Sequence, residues 1–259
     1  MSAFVFDEKI WVIGGTDTND FYSDVWSSSD GITWTQHTAD ADFSDRAGHA
    51  IVEHNGELIM TGGIQKNGDY LDDVWKSTDG INWSQVKEHF HDFTQDDSFY
   101  TLKDENEIEI AWYYNETDRY MRKRAYHQML SFNDKLWVIG GRLNNHPSIT
   151  SDSANTVFST IYLGNDVWMS EDDGVTWQLV LSGSFNELYP LADKSPFTAR
   201  QDHRAIVFNN AIHLSGGLSD DGLHTILSKD SYLNDVWRSE DGTNWRNGIT
   251  GEVFLKQFE

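Results

Sequence analysis

The residues of this chain best suited to binding chemistry are arginines and histidines that recur three residues apart. The pairs are Arg46 with His49, Arg124 with His127, and Arg200 with His203. If the fold brings these guanidinium groups together at one opening, they could bind a carboxylate or an anionic sugar through paired hydrogen bonds. Gathered imidazoles could ligate a metal ion. Because the pairs recur at fixed places in a longer repeat, we expect mainly a structural role for both residue types, in which they satisfy backbone carbonyls.

A fourth arginine stands outside this recurrence. Arg142 directly follows Gly141 and is not fixed by the repeat. A residue that departs from a repeat is not required by the shared architecture, so it is more informative about function. Arg142 is therefore a better candidate than the recurring arginines for binding an anionic group of a ligand.

A short acidic segment could hold a metal ion. His89, His91 and Asp92 lie close together, with Asp96 and Asp97 following. Two imidazoles at alternate positions of a strand face one side, which suits a transition metal. No further ligand spacing matches, and a chain this acidic carries many solvated carboxylates. We therefore predict no metal site, and we predict no cofactor.

Aromatic residues gather in the segment 88–123. Trp112, Tyr113 and Tyr114 are consecutive, and Trp112 is the one tryptophan outside a repeated position. The same segment also contains Phe90, Phe93, Phe99, Tyr100 and Tyr120. The segment could present an aromatic platform to a sugar ring or a protein partner. The alternative is that these residues form a small core of their own.

The composition limits the classes of partner. A net charge of −23 repels phosphate backbones, so we expect no nucleic-acid ligand. The chain has no cysteine, which excludes disulfides and thiolate chemistry. No apolar run has the length of a transmembrane helix, so no membrane partner is expected. The amino-terminal residues show no signal peptide, and the compartment stays open.

These residues are set on a repeated framework. Asp-Val-Trp, followed by a Ser-x-Asp turn and a second Trp, occurs four times, starting at Asp24, Asp73, Asp166 and Asp235. Each copy follows an apolar run that ends in Gly-Gly. Within the second unit, Asn55-Gly56 favours a tight hairpin turn. The unit predicts a four-stranded antiparallel meander, and such blades arranged around an axis make an all-β propeller. The tryptophans at repeated positions are expected to pack between blades.

The repeated motifs resemble the kelch family. Kelch units show Arg-x-Gly-His, a strand, Gly-Gly and two later aromatic residues, matched here by 46–49, Gly62-Gly63, Trp75 and Trp83. The turn from Ser170 to Trp177 resembles an Asp-box, whose Asp is expected to bind the backbone of its own turn. The resemblance implies a β-propeller, but kelch propellers include oxidases, mutarotases and adaptors. The Cys of the copper oxidases and the Phe/Tyr-Arg-Ile-Pro motif of sialidases are both missing here.

The repeats predict one domain over 1–259. The units span about 1–38, 46–87, 124–181 and 200–249, with an insertion at 88–123. We predict that the insertion is a hairpin, with a strand at 107–114 and a return strand at 119–121. The alternatives are a degenerate fifth blade, a larger propeller cut short, or a ring completed by a second chain.

Loop lengths distinguish the two faces of the predicted propeller. The turns between first and second strands are two residues long in every unit: Asp7-Glu8, Asn55-Gly56, Asn133-Asp134 and Asn209-Asn210. The loops on the other face vary in length, and long loops on a rigid scaffold are usually functional. We predict a non-catalytic binding module whose carbohydrate or protein ligand lies on this long-loop face. The alternative is a small mutarotase or lyase, with Arg and His at the central mouth and Glu53, His54 or Asp202 as acid–base residues.

Overall fold

Four antiparallel sheets, each a blade, are arranged as a β-propeller in this computed structural model. The structure describes residues 1–88, 100–103, 109–113, 121–143, 162–183, 193–219 and 231–249. These residues form strands and turns, and among them no helix is long and apolar enough to cross a membrane.

The strands follow one another in the order that the repeat predicts. The first blade contains β1 (Ser2–Phe6), β2 (Lys9–Thr16), β3 (Phe21–Ser28) and β4 (Thr35–Thr38). The second contains β5 (Ala50–His54), β6 (Glu57–Thr61), β7 (Val74–Ser77) and β8 (Ser84–Lys87). A separate hairpin of β9 (Tyr100–Lys103) and β10 (Glu109–Tyr113) follows.

The remaining strands build the third and fourth blades. The third contains β11 (Arg124–Ala125), β12 (Gln128–Phe132), β13 (Lys135–Leu143), β14 (Tyr162–Ser170), β15 (Gln178–Ser182) and a short parallel β16 (Asp193–Lys194). The fourth contains β17 (Arg204–Phe208), β18 (Ala211–Ser215), β21 (Val236–Ser239) and β22 (Trp245–Ile249). A two-residue pairing of β19 (Leu218–Ser219) with β20 (Ser231–Tyr232) lies between β18 and β21.

The tight turns between first and second strands adopt the backbone that their residues favour. All four have positive φ at both central residues, with Asn55 at 53° and Gly56 at 81° as an example. Asn, Asp and Gly tolerate this region best, and it matches the twist of the flanking strands. The predicted two-residue turns are therefore confirmed.

The Ser-x-Asp turns between third and fourth strands are held by their own carboxylates. Oδ1 of Asp30 accepts hydrogen bonds from the backbone N–H groups of Thr33 and Ile32, both at 2.8 Å, and from the hydroxyl of Ser28. These bonds, that from Thr33 first, lower the pKa of Asp30 to about 2. The expectation that these carboxylates bind their own turn is confirmed, and each is used in local structure.

Hydrophobic cores lie between consecutive blades. One cluster joins the first blade to the second through Trp11 and Met60, and another joins the second to the third through Ile59 and Trp168. A third cluster joins the third blade to the fourth. Most tryptophans at repeated positions are buried or half-buried in these clusters, as the repeat predicts, and Trp34 of the first blade is the exposed exception among those the structure describes.

The insertion differs in detail from the prediction. A strand does form within 107–114, as Glu109–Tyr113, but it pairs with the upstream strand Tyr100–Lys103. The expected return strand at 119–121 lies mostly outside the described residues. In the described chain β9 and β10 pair only with each other, which places this hairpin outside the four blades.

Candidate functional site

The recurring arginines are buried inside the blades. Each forms a two-pronged ion pair with the Asp of its own Asp-Val-Trp: Arg46 with Asp73, Arg124 with Asp166, and Arg200 with Asp235, at N–O distances of 2.7 to 3.0 Å. Each Nη1 also donates to the carbonyl of the first Gly of Gly-Gly. The guanidinium groups therefore have a structural role, and they do not line a ligand site at the mouth.

The recurring histidines pack between neighbouring blades. His49, His127 and His203 are buried, and their Cε1 atoms lie against the first Gly of the preceding blade's Gly-Gly. Burial, and then the charge of the neighbouring arginine, lower the pKa of His127 and of His203 to about 3 and that of His49 well below its ordinary value. These imidazoles stay neutral in the folded protein and act as spacers between blades.

No metal site is visible in the described part of the chain. Within it, no group of three or more His, Asp or Glu side chains is placed to hold a metal ion. The segment with His89, His91, Asp92, Asp96 and Asp97 lies outside the described residues.

The residues that precede the recurring histidines stand just before the inner strands, and the place where they meet across blades is called the central mouth below. These residues are Gly48, Tyr126 and Asp202, and all three have φ between 54° and 65°. They are joined across blades, because Tyr126 N–H donates to the Gly48 carbonyl at 2.7 Å and Asp202 N–H donates to the Tyr126 carbonyl at 3.2 Å. Such backbone is strained for Tyr, and strain of this kind concentrates at functional sites.

Arg142 lies beside this mouth on the long-loop face. Its backbone pairs with Ala125 in the third blade, and its Cζ lies 5.9 Å from the centre of the Tyr70 ring, which belongs to the second blade's long loop. The Tyr126 ring packs against Gly48. Arg142 thus belongs to a group of two tyrosines and one arginine that spans two blades.

The group contains a buried guanidinium nitrogen and a partly buried tyrosine hydroxyl. Nε of Arg142 is buried and has no hydrogen-bond partner among the described residues. Burial raises the pKa of the Tyr70 hydroxyl, whereas the charge of Arg142 and a side-chain hydrogen bond with Arg142 oppose this rise. Buried polar nitrogen atoms are normally hydrogen-bonded, so a free Nε calls for an acceptor.

The other predicted site residues fall elsewhere. Trp112 and Tyr113 lie in β10, where only the backbone is described, and Tyr114 lies outside the described residues. Glu53 and His54, considered as acid–base residues for the mouth, instead precede the tight turn on the opposite face. Glu53 binds the Gly56 N–H there, and His54 is hydrogen-bonded to Ser131. That expectation was wrong because the strand carries both residues away from the mouth.

Two tyrosines of the mouth were not identified from the sequence. Tyr126 replaces the Gly of Arg-x-Gly-His, and this departure from the motif is visible in the sequence. In the structure Tyr126 has positive φ, which is uncommon for a bulky residue. Tyr70 gives no such signal, since its proximity to Arg142 arises only when two blades pack together.

Comparison with known proteins supports the fold. No family model matches the chain, and no curated protein matches it. The solved structure of YjhT is similar, with a TM-score of 0.59 and 15% sequence identity over 94% of this chain and 68% of that chain. At this identity the similarity shows only that the chain has a β-propeller fold.

Proposed function

We propose that this protein is a binding module of the kelch-repeat type that takes a small carboxylate-bearing ligand at the mouth on its long-loop face. Arg142 binds the carboxylate, and Tyr70 and Tyr126 border the rest of the ligand. The observation that carries this proposal is the buried Nε of Arg142, which lacks a partner in the described chain. A carboxylate supplies the charged acceptor that a guanidinium group binds best.

An acidic sugar is the ligand class that fits these groups. Aromatic side chains with a polar tip provide apolar surface for a sugar ring and a hydroxyl for its oxygens. The chain's net charge of −23 repels extended polyanions. A ligand with one carboxylate avoids most of this repulsion, because a single short-range contact with Arg142 offsets it.

Titration calorimetry with hexuronic acids, and with the parent neutral hexoses as matched ligands, tests the proposal. We expect binding of an acid and at least tenfold weaker binding of its neutral parent. Arg142→Gln should reduce affinity by tenfold or more, whereas Arg246→Gln, which alters an exposed arginine of the fourth blade, should leave it unchanged. Binding that is insensitive to Arg142 would overturn the proposed site.

A protein ligand with an acidic side chain is the other occupant that this chemistry suits. Short peptides that contain a single Asp or Glu, compared with their amide counterparts, distinguish it from a sugar acid. Tight peptide binding together with weak hexuronic acid binding would reassign the ligand class while keeping Arg142 as the anchor.

Asp202 supports a second candidate function, a sugar-active enzyme. Its carboxylate is exposed at the mouth beside Tyr126 and accepts a hydrogen bond from Gln201 Nε2 at 3.0 Å. A carboxylate at this place could act as an acid–base group on a bound sugar. Exchange NMR of anomer interconversion tests this, and acceleration by the wild type that is lost in Asp202→Asn would favour the enzyme over the binding module.

A further inference from the structure

Three residues that depart from the repeat lie together on the tight-turn face, between the second and third blades. His54 ends β5, at the position where the other three blades carry a Phe. Ser131 lies in β12, at the position where the first and fourth blades carry a Val. Asp173 is the added residue of the third Ser-x-Asp turn, which is one residue longer than the other three turns. The shared architecture requires none of these three residues, so each is informative about function.

The three side chains form a chain of polar groups. Nδ1 of His54 lies 2.8 Å from the hydroxyl oxygen of Ser131, and Nε2 of the same ring lies 3.4 Å from Oδ1 of Asp173. The imidazole is buried, with a side-chain exposure of 3%, whereas Ser131 is half-buried and Asp173 is exposed. A hydroxyl, an imidazole and a carboxylate in this order are the groups that activate a serine as a nucleophile.

Asp173 is not used to hold its own turn. Oδ1 of Asp172 accepts hydrogen bonds from the Ser170 hydroxyl and the Thr176 N–H, both at 2.8 Å, which is the role of the single Asp in the other turns. Asp173 follows with a φ of 56°, and its carboxylate faces the His54 ring. The added residue therefore brings a carboxylate of the third blade to an imidazole of the second.

The carboxylate favours the tautomer of His54 that a general base needs. A negative charge near Nε2 favours a proton on that nitrogen, which leaves the lone pair of Nδ1 to accept the proton of Ser131. The side-chain amide of Asn55 also reaches the ring, with its Nδ2 3.1 Å from Nε2. An amide carries an acceptor oxygen beside its donor nitrogen, so a half-turn of this group lets it accept the same Nε2–H.

We propose that Ser131, His54 and Asp173 form a site for acyl transfer that hydrolyses small esters. Ser131 Oγ attacks the ester carbonyl carbon while His54 Nδ1 takes the hydroxyl proton. The bond from this carbon to the alcohol oxygen then breaks, and His54 returns the proton to the departing alcohol. Water attacks the acyl group on Ser131 by the same proton route and releases the carboxylic acid. Asp173 touches no reacting atom and is a positioning residue.

The charge of the chain limits the substrate class of this site. A net charge of −23 repels an anionic acyl group, so an ester with an uncharged acyl group is the substrate that fits. The site lies on the face opposite the central mouth, and it is independent of the ligand proposed there.

A second Ser–His pair, in the first blade, provides a matched control. Ser27 Oγ lies 2.8 Å from Nε2 of His37, and the His37 ring stacks on Trp11 with 5.1 Å between ring centres. No carboxylate pairs with this imidazole among the residues that the structure describes. Ser27→Ala should therefore leave the activity assigned to Ser131 unchanged.

Hydrolysis of p-nitrophenyl acetate and labelling with a fluorophosphonate probe test the proposal. We expect turnover by the wild type above the rate in buffer, and mass spectrometry should place the probe on Ser131. Ser131→Ala should lower kcat/KM by about 100-fold or more and abolish labelling. His54→Phe introduces the residue that the other blades carry, so it should retain the wild-type circular dichroism and lose turnover to the same extent.

Asp173→Asn tests the positioning residue. Asn tolerates the positive φ of this position, so the substitution removes only the charge. We expect kcat to fall about tenfold with KM and the melting temperature unchanged, a pattern that a purely structural role would not give. A wild type with no turnover above buffer, turnover that persists in Ser131→Ala, a probe attached to another residue, or an unchanged kcat in Asp173→Asn would each overturn the proposal.

Discussion

At the scale of single residues, arginine–aspartate pairs with buried guanidinium groups hold the second, third and fourth blades. Removing one partner of a buried pair leaves an uncompensated charge. Asp73→Asn should therefore lower the free energy of unfolding by about 3 to 5 kcal/mol, because the guanidinium of Arg46 is fully buried. Urea denaturation measures this loss.

The matched control is Asp24→Asn in the first blade. Asp24 holds the same repeat position and binds Trp26, but no arginine pairs with it in the described chain. Because Asn can still accept the indole hydrogen bond, we expect a loss below about 1 kcal/mol. Equal losses at Asp73 and Asp24 would contradict the structural role assigned to the Arg46 pair.

Buried histidines make stability depend on pH. The folded pKa values of His127 and His203, about 3, lie below the unfolded value of about 6.5. As pH falls below 6.5 the unfolded chain takes up protons that the folded chain does not, so stability falls. Each buried histidine should lower the free energy of unfolding by about 2 kcal/mol as the pH falls from 7 to 5.

Urea midpoints at pH 7, 6 and 5 test this linkage. The His127→Gln variant removes one titrating imidazole and should show a shallower decline than the wild type. The Ser-x-Asp turns add no pH dependence of stability in this window. The pKa of Asp30 is about 2, so this carboxylate stays charged between pH 7 and pH 5. A stability that is flat between pH 7 and pH 5 would show that the histidines are accessible to protons in the folded state.

At the scale of elements, the first Gly of Gly-Gly packs against the Arg and His that open the next blade. A Cβ on Gly62 would lie 2.6 Å from the Arg124 carbonyl oxygen and 2.8 Å from His127 Cε1. On Gly216, whose φ is similar, the nearest atom would be the Leu233 carbonyl oxygen at 3.5 Å. Gly62→Ala therefore adds a steric clash to the backbone strain that both substitutions share.

The two glycine variants give a measurable difference. Gly216→Ala should lower the melting temperature modestly, in line with about 1 to 2 kcal/mol of left-handed backbone strain. Gly62→Ala should lower it much further or prevent folding. Similar melting temperatures for the two variants would show that the contact between the second and third blades yields easily to an added methyl group.

Local motifs determine how much of the fold can be predicted from the sequence. Asn55-Gly56 and the turn around Asp30 contain all the groups that hold them, so their structures follow from a few residues. The strand Tyr100–Lys103 has no flanking turn signature, and its pairing with Glu109–Tyr113 could not be predicted.

The candidate site could be predicted only in part, for a related reason. Arg142 was identified because it departs from the repeat. Tyr70 was not, because its contact with Arg142 joins residues of different blades. Contacts that exist only after blades pack leave no pattern in a single sequence.

At the scale of the whole molecule, the repeated residues build a scaffold, and residues that depart from the repeat form the proposed ligand site. The recurring arginines and histidines are used in blade packing. The departures on the third blade, Tyr126 and Arg142, meet at the mouth beside a loop of the second blade. A rigid scaffold that presents irregular loops on one face is a common arrangement for ligand binding.

The central claim is that ligand binds at this mouth and not at the aromatic insertion. Fluorotyrosine incorporated at the ten tyrosines, with resonances assigned by Tyr→Phe variants, separates the two sites in one ¹⁹F NMR titration with a hexuronic acid. We predict shifts at Tyr70 and Tyr126 that saturate together. Saturating shifts at Tyr113, Tyr114 or Tyr120, with Tyr70 and Tyr126 unchanged, would contradict the account and place the site on the insertion.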